Sequence, residues 1–204
     1  MSVADEPPYA SPDQAPEPNP WPVPPAGGYT VEDLYRLPNL PAHTELIDGS
    51  LVFMSPQTIF HRKAVSLLER RLDELSPPEL RAEREMTVAL TPQDAPEPDV
   101  MVVRAEAVTG LDQTRFGPED VVLAVEVVST ESRSRDRETK PMKYAKAGIP
   151  HFWRVEKTED QAVVYVYELD PATGTYVPTG IFHDRLKVPV PFPVDIDLNE
   201  ITLP

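Results

Sequence analysis

The sequence predicts one mixed α/β domain whose central sheet is covered by helices on both faces. Residues 121–128, "VVLAVEVV", form a continuous apolar run broken only by Glu126, and such a run is typical of a strand buried on both faces. From residue 58 the segments follow the order helix, three strands, helix, strand. A chain of 204 residues with 40% hydrophobic content is long enough for one well-buried domain.

The N-terminal residues 1–28 differ in composition from the rest of the chain. They hold nine of the 26 prolines, four acidic residues and no Lys or Arg, and they end in Gly27-Gly28. Because this composition cannot bury a core, we predict a disordered Pro-rich tail over residues 1–28 and a folded domain over 29–204. A solvated leader is the simpler interpretation of the tail, and a binding role is the alternative.

The folded part is predicted to begin with a short helix and a β-hairpin. Thr30 is the expected N-cap of the helix, Asp33 occupies the capping-box position, and Pro38 follows the helix end. In "TELIDGSLVFMS" the pair Asp48-Gly49 separates two arms of alternating apolar residues, which is a hairpin signal.

The remaining segments supply the sheet and its covering helices. Residues 58–75 have apolar residues at three-to-four spacing, which predicts an amphipathic helix that ends before Pro77-Pro78. Strands are expected in "REMTVAL", "PDVMVV" and "DVVLAVEVV", then a helix in "TKPMKYAKAG", and then strands in "PHFWRVE", "AVVYVYEL" and "TYVPTG". The Pro-rich end, "VPVPFPVDIDL", suits an edge or irregular structure better than a central strand.

Composition excludes several kinds of site. The chain has no cysteine, so disulfides, thiolate metal sites and cysteine nucleophiles are excluded. Its four histidines are scattered without zinc-site spacing, and it has neither a GxxxxGK[ST] phosphate loop nor a GxSxG elbow. No apolar run reaches the length of a membrane span, and the start lacks the layout of a secretory signal, so we expect a cytoplasmic protein without membrane contact.

Two acidic residues interrupt apolar strand faces. Glu126 shares a face with Val122 and Ala124, whereas Asp99 shares one with Met101. If the two strands are neighbours, their carboxylates converge, and paired carboxylates are suitable ligands for Mg²⁺ or Mn²⁺. The alternative for Glu126 is a buried acid bonded to a backbone donor or an arginine, and for Asp99 a turn residue at a strand start.

A cation for this site can come from the next helix. Asp136, Lys140 and Tyr144 are spaced four apart, which places them along one helical face. Pro141 is best tolerated in a first turn, so the helix is expected to begin near Thr139. Lys140 then lies at the positive end of the helix dipole, a mildly unfavourable position that suggests another role.

The quoted strings form an ordered set that resembles a known family. The set consists of "TELIDG", "MSP" with His61 a little downstream, "PDVMVV", "VEVVS", the Asp136 series and "AGIPHFWRVE". It resembles the Uma-two family of restriction-endonuclease-like proteins, within the PD-(D/E)XK nuclease superfamily, from about Tyr29 to the C-terminus. The resemblance implies a restriction-endonuclease-like mixed sheet, with an additional N-terminal hairpin and additional C-terminal strands.

The resemblance also implies the roles of the site residues. Asp99 and Glu126 would ligate Mg²⁺ or Mn²⁺, Glu45 would be a further ligand, and Lys140 would position or activate the attacking water. The superfamily usually places its lysine two residues after the second acid, where this chain has Val128. The expected reaction is metal-dependent hydrolysis of phosphodiester bonds in nucleic acid, with DNA as the expected substrate.

Supporting roles are assigned to residues around this set. Asp136 orders the loop or pairs with Lys140, and Tyr144 packs on the sheet. Ser129 is expected to bond locally at the strand end, and His61 is a supporting residue whose simpler interpretation is structural. The segment 129–146 has six basic and three acidic residues, and its arginines are candidate phosphate contacts or merely a soluble loop: Arg133, Arg135 and Arg137.

The net charge of −15 opposes non-specific binding to nucleic acid. It therefore favours, as the alternative function, a non-catalytic interaction or regulatory protein that keeps the nuclease fold. A homodimer or a protein partner stays open as the source of specificity.

Overall fold

A computed structural model describes residues 23–159 and 161–201 of the chain. The predicted Pro-rich tail lies outside these residues from 1 to 22. The described part begins with the exposed residues 23–27, of which residues 26 and 27 form a turn.

The first elements form the short helix and the hairpin that the sequence predicts. The helix α1 spans Val31–Arg36, and the backbone N–H of Thr30 donates to Asp33 Oδ2 at 2.8 Å. The hairpin consists of β1 (Glu45–Ile47) and β2 (Ser50–Val52). Its two turn residues have positive φ, 50° at Asp48 and 70° at Gly49, as expected for a tight hairpin turn.

The other elements follow in chain order. They are α2 (Ile59–Leu75), β3 (Leu80–Glu83), β4 (Thr87–Val88), β5 (Val100–Arg104), β6 (Arg115–Phe116), β7 (Val121–Val127), α3 (Lys140–Lys146), β8 (His151–Thr158), β9 (Gln161–Asp170), β10 (Thr175–Phe182), β11 (Arg185–Val188) and β12 (Val194–Asp197). A π-helical turn, Arg135–Thr139, leads directly into α3, so the helical conformation begins earlier than Pro141 suggested.

The central sheet has six strands in the order β10-β9-β8-β7-β5-β3. Strands β7 and β8 are parallel, with the π-helical turn and α3 between them in sequence, whereas the other four pairings are antiparallel. The sheet is mixed, as predicted. Among the described residues, no helix has the length and apolar character needed to cross a membrane.

Both faces of the sheet are covered. Alternate residues of β5 and β7, such as Val102 and Val125, pack with Leu68 of α2 and with Ile196 of β12. The residues between them, such as Met101 and Ala124, pack on the opposite face with Tyr144 of α3. This alternation explains why the whole of β7 is apolar except at Glu126.

Two parts of the chain differ from the expected elements. The strand β3, with the sequence "LRAE", was not predicted, because two charged residues hide its pattern and it is an edge strand. The segment "REMTVAL" forms only the two-residue strand β4. The Pro-rich end is not a central strand, as predicted, and its strand β12 pairs with β11 in a separate two-stranded sheet.

Candidate active site

The pairing of β5 with β7 brings Asp99 and Glu126 together. Val100 pairs with Val125, and Met101 with Ala124, so Asp99 and Glu126 lie next to each other where β5 begins and β7 ends. Both are buried, with exposed fractions of 7% and 1%. Strand alternation directs both side chains towards the face that α3 covers.

Lys140, the first residue of α3, lies at the centre of a group of carboxylates. Its Nζ is 3.0 Å from Glu126 Oε2, 2.7 Å from Glu45 Oε1 and 3.6 Å from Asp136 Oδ1. All four residues are about 1% exposed. The lysine that begins the helix therefore reaches the strand-borne acid Glu126, and Val128 occupies the position two residues after that acid.

Asp99 is held from two sides. Its Oδ2 accepts a hydrogen bond of 2.6 Å from the backbone N–H of Val127, and its Oδ1 lies 3.0 Å from Nε2 of His61. His61 is on the first turn of α2, and Thr58 caps this helix by accepting from the His61 backbone N–H. His61 thus contacts the site directly, as a partner of Asp99.

Glu126 has a second partner on α3. The Tyr144 hydroxyl donates to Glu126 Oε1 at 2.6 Å. Tyr144 is fully buried and also packs against the sheet. Lys140 and Tyr144 both contact Glu126, whereas Asp136, which lies within the π-helical turn, contacts Lys140.

The loop after β7 positions Asp136. The hydroxyl of Ser132 donates to Asp136 Oδ2, and it lies 2.9 Å from the hydroxyl of Ser129. The backbone N–H of each serine also donates to the hydroxyl of the other. Ser129 therefore bonds to Ser132, and a chain of contacts runs from Ser129 through Ser132 and Asp136 to Lys140.

Glu45 comes from the hairpin, on the other side of Lys140. Its Oε1 accepts a hydrogen bond of 2.8 Å from the backbone N–H of Glu97. The hairpin is tied to α3 by Lys143, whose Nζ lies 2.6 Å from both Asp48 Oδ1 and Asp94 Oδ1. Lys143 thus fixes the hairpin that carries Glu45, a role that no local pattern in the sequence indicates.

Burial and charge shift the protonation equilibria of this cluster. Burial raises the pKa of Glu126 well above its usual value despite the attraction of Lys140, and it raises the pKa of Asp136 to about 6. Burial lowers the pKa of Lys140, but attraction to Glu126 and the other acids outweighs this effect, so its pKa lies well above the usual value. One buried ammonium cannot balance all of these carboxylates.

Histidine 61 gains a proton more readily than a free histidine. Burial lowers the pKa of His61, but the hydrogen bond to Asp99 and its negative charge raise it by more. The pKa of His61 therefore lies above its usual value. The cluster therefore combines two nitrogen donors, Lys140 and His61, with four acids.

The three arginines have different environments. Arg137 forms a bidentate pair with Glu156, and Arg133 is exposed. Arg135 borders the site, and its Nε is buried without a hydrogen-bond partner. Among the described arginines of this loop, Arg135 is therefore the best placed to contact an anion at the site.

A cavity of about 170 Å³ opens onto these residues. It is lined by Asp99, Glu126, Lys140 and Asp136, by His61 and Arg135, and by the serines of the loop after β7. Residues 54–58 form another wall. Asp99, Glu126 and Asp136 are thus reachable by a small group such as a water molecule or a phosphate oxygen, whereas Glu45 is not among the lining residues.

The donor set suits a divalent cation in its chemistry. Within residues 23–159 and 161–201, no three acidic or histidine side chains are already arranged as a metal site. However, Glu45 Oε2 and Asp136 Oδ1 are buried and accept no hydrogen bond. Carboxylate oxygens are the preferred ligands of Mg²⁺ and Mn²⁺, and the surplus of acids over cations favours an added positive charge. The residues therefore fit such an ion by type and charge.

Comparisons with known proteins identify a family and a similar fold. A family model with the description "Uma2: Putative restriction endonuclease" matches residues 31–200. Among solved structures, the chain is similar to that of "a putative nuclease belonging to DUF820 from Anabaena variabilis ATCC 29413", with 18% identity and a TM-score of 0.61. The similarity covers 84% of this chain and 96% of the other. No curated protein matches the chain.

Proposed function

Since the chain belongs to the Uma2 family, whose model matches residues 31–200, we propose that it is a metal-dependent endonuclease that hydrolyses phosphodiester bonds in nucleic acid. One observation carries this proposal. Asp99 and Glu126, from adjacent strand ends, line the same cavity as Lys140, whose Nζ lies 3.0 Å from Glu126. Two carboxylates and an amine at a cavity match the needs of metal-assisted hydrolysis.

Asp99 and Glu126 are the proposed ligands of Mg²⁺ or Mn²⁺, and Glu45 is a further ligand through its unpartnered Oε2. A bound ion would polarise the scissile phosphate and lower the pKa of a coordinated water. Tyr144 and His61 hold the two principal carboxylates in position through contacts of 2.6 Å and 3.0 Å. Such partners orient metal ligands and influence metal affinity.

Lys140 is proposed to orient the attacking water and to offset negative charge on the phosphate. Its ammonium is held in the charged state by the surrounding acids, so it acts as a hydrogen-bond donor and not as a base. The proton stays on Nζ, which lies within 3.6 Å of the carboxylates of Glu45, Glu126 and Asp136, so a water bound among these acids would be within reach of the donor. Arg135, with its buried unpartnered Nε, is proposed to contact a phosphate oxygen next to the reacting group.

DNA is the proposed substrate. The whole chain carries a net charge of −15, so broad electrostatic attraction is absent. Attraction must therefore be local. Of the six basic residues in the segment 129–146, Lys140 and Lys143 are buried in ion pairs and Arg137 pairs with Glu156. The attraction is therefore assigned to the remaining three: Arg133, Arg135 and Lys146. We propose that binding relies on this segment, with specificity supplied by a protein partner or a second copy.

A cleavage assay tests the proposal. Single- and double-stranded DNA and RNA are incubated with Mg²⁺, Mn²⁺ or EDTA and with wild type, Asp99→Asn or an Asp112→Asn control on an exposed loop. We expect wild type and Asp112→Asn to cleave at least one substrate only when metal is present, and Asp99→Asn to be inactive. Equal activity in all three proteins would place the chemistry elsewhere.

A second candidate function is a non-catalytic interaction protein that keeps this fold. One observation favours it: all four carboxylate oxygens of Asp99 and Glu126 already have protein partners. Calorimetry with Mn²⁺ separates the two functions. Metal binding without turnover of any of the four nucleic acids supports the non-catalytic function, whereas turnover eliminates it.

A further inference from the structure

A second cavity lies on the other side of α3 from the candidate active site. It has a volume of about 310 Å³, at the lower end of the range for small-molecule pockets. Adjacent residues divide between the two cavities: Asp136 and Lys140 line the first, whereas Arg137 and Pro141 line the second. The π-helical turn and α3 thus form a common wall between them.

Aromatic rings line one side of this second cavity. Phe152 is 5.5 Å from Tyr176 and 5.7 Å from Tyr167, measured between ring centroids. The Tyr176 hydroxyl donates to the backbone carbonyl of Ile149 at 2.8 Å, which fixes the ring. Tyr167 and Tyr176 are partly exposed, but the Arg154 guanidinium lies over the Tyr167 ring, 5.6 Å from its centroid. The cavity therefore offers rigid aromatic surface to a ligand chiefly at Tyr176.

The rim of the second cavity is cationic. Arg137, Lys146 and Arg154 line it, and no acidic residue does. Glu156, which is not a lining residue, pairs with both arginines. Three positive charges and one negative charge leave a net charge of +2 at the rim. In a chain with a net charge of −15, this combination of aromatic surface and positive charge is unusual and favours an anionic ligand with an aromatic ring.

We infer that this cavity binds one unpaired nucleotide of the nucleic-acid strand that enters the candidate active site. The base would pack on Tyr176, beside Arg154 and the Tyr167 ring that it covers, and the adjoining phosphate would contact Lys146 and Arg137. Sites for single strands combine aromatic platforms and basic side chains in this way. The inference deepens the proposed function and rests on it, because it makes single-stranded or unpaired regions the preferred substrate.

Contacts in the core connect the two cavities. Tyr144, which donates to Glu126, lies 6.0 Å from Phe152 between ring centroids, and Phe152 is the buried ring beneath the second cavity. A nucleotide seated there is therefore held by the same helix that carries Lys140. This arrangement would fix the position of the strand relative to the reacting phosphate.

Binding in EDTA tests this inference separately from catalysis. Fluorescence anisotropy measures the affinity of the full chain for labelled ten-nucleotide DNA and RNA strands, with Lys146→Ala and Met142→Glu as the test variants. Lys146 is exposed, and Met142, on the cavity wall, is 49% exposed, so neither change disturbs the core. Lys187→Ala, at a side chain that is 76% exposed, and Val108→Glu, at 40% exposed, are matched controls elsewhere on the surface.

We expect each test variant to weaken binding at least fivefold and each control to change it less than twofold. In Lys146→Ala the slope of log affinity against log salt concentration should fall by about 0.7, the value for one lost phosphate contact on a single strand. A purely structural role for Lys146 at the end of α3 would not change this slope. A strand of abasic nucleotides should bind at least fivefold more weakly than the normal strand.

Several results would overturn the inference: no binding of either strand by wild type, equal affinity in test and control variants, or equal binding of the abasic strand. A free mononucleotide that binds as tightly as the ten-nucleotide strand would also overturn it, because the site would then serve a small ligand. These outcomes leave the proposed function to be judged by metal-dependent cleavage, which can succeed on duplex DNA without this cavity.

Discussion

Lys140 and Glu126 form a buried ion pair, with Nζ 3.0 Å from Oε2 and both residues 1% exposed. A buried ion pair contributes little to stability relative to an apolar pair, because desolvation offsets the attraction. Here Glu45 and Asp136 add further negative charge within 3.6 Å of the same Nζ. Such an excess of buried negative charge around one ammonium is common at sites kept for binding or chemistry.

The first prediction concerns the central ammonium. Lys140→Met keeps the length of the side chain but leaves three buried acids without their cation. We expect the free energy of unfolding at pH 7.5 to fall by about 3–5 kcal/mol, the range for breaking a buried ion pair. Urea denaturation measures this loss, and Lys146→Met on the exposed side of α3 is the control, with a change within about 0.5 kcal/mol.

Adding Glu126→Gln to Lys140→Met separates charge from packing. Because the second change removes one of the stranded charges, the double variant should be more stable than Lys140→Met alone. If the two losses simply add, the pair does not interact as described.

The second prediction concerns pH. Burial raises the pKa of Asp136 from 3.8 to about 6, so between these values the folded protein keeps a proton that the unfolded chain has lost. Ionisation of Asp136 therefore reduces stability as pH rises from about 4 to 6, and this loss persists above pH 6. Asp136→Asn cannot ionise at this position. Above pH 6 its free energy of unfolding should therefore be about 1–3 kcal/mol higher than that of wild type, which corresponds to a shift of about two pKa units.

Thermal or urea unfolding across pH 4–8 measures this difference, which should vanish near pH 4. Asp112→Asn, on an exposed loop, controls for the loss of one negative charge. A variant less stable than wild type at pH 7.5 would mean that the ionised Asp136 stabilises the fold through Lys140 and Ser132.

The third prediction concerns His61. Its Nε2 lies 3.0 Å from Asp99 Oδ1, so it orients a proposed metal ligand. His61→Gln should weaken Mn²⁺ binding by about 10- to 100-fold, the usual effect of losing such a partner. Isothermal titration calorimetry measures the affinity, and His151→Gln, at the opposite end of the parallel strands, is the control. Equal Mn²⁺ affinity in wild type and His61→Gln would remove His61 from the site.

Local sequence patterns were sufficient for the main elements of the fold but not for all contacts of the site. The hairpin, α2 and the buried strand β7 follow from turn residues and from apolar periodicity, which report on burial. The same patterns could not reveal β3, because an edge strand such as "LRAE" is paired mainly through its backbone. Nor could they predict the π-helical turn that precedes Lys140.

The polar contacts of the site depend on which distant segments meet. Periodicity places Glu126 and Lys140 on particular faces, but the contact of Lys140 with Glu45 depends on where the hairpin packs. Lys143 fixes that position through Asp48 and Asp94, and Ser132 holds Asp136. Such contacts lack local spacing rules, so the sequence identified the candidate residues more readily than their partners.

The most direct test of the central claim is the initial rate of Mg²⁺-dependent cleavage by wild type and Glu126→Gln, measured on the same labelled DNA at pH 7.5. Glu126→Gln keeps the size of the side chain and can still accept from Tyr144, so the fold should be retained, which circular dichroism checks. We expect cleavage by wild type that EDTA abolishes and a rate at least 100-fold lower in Glu126→Gln. Equal rates in the two proteins, with the fold intact, would contradict it.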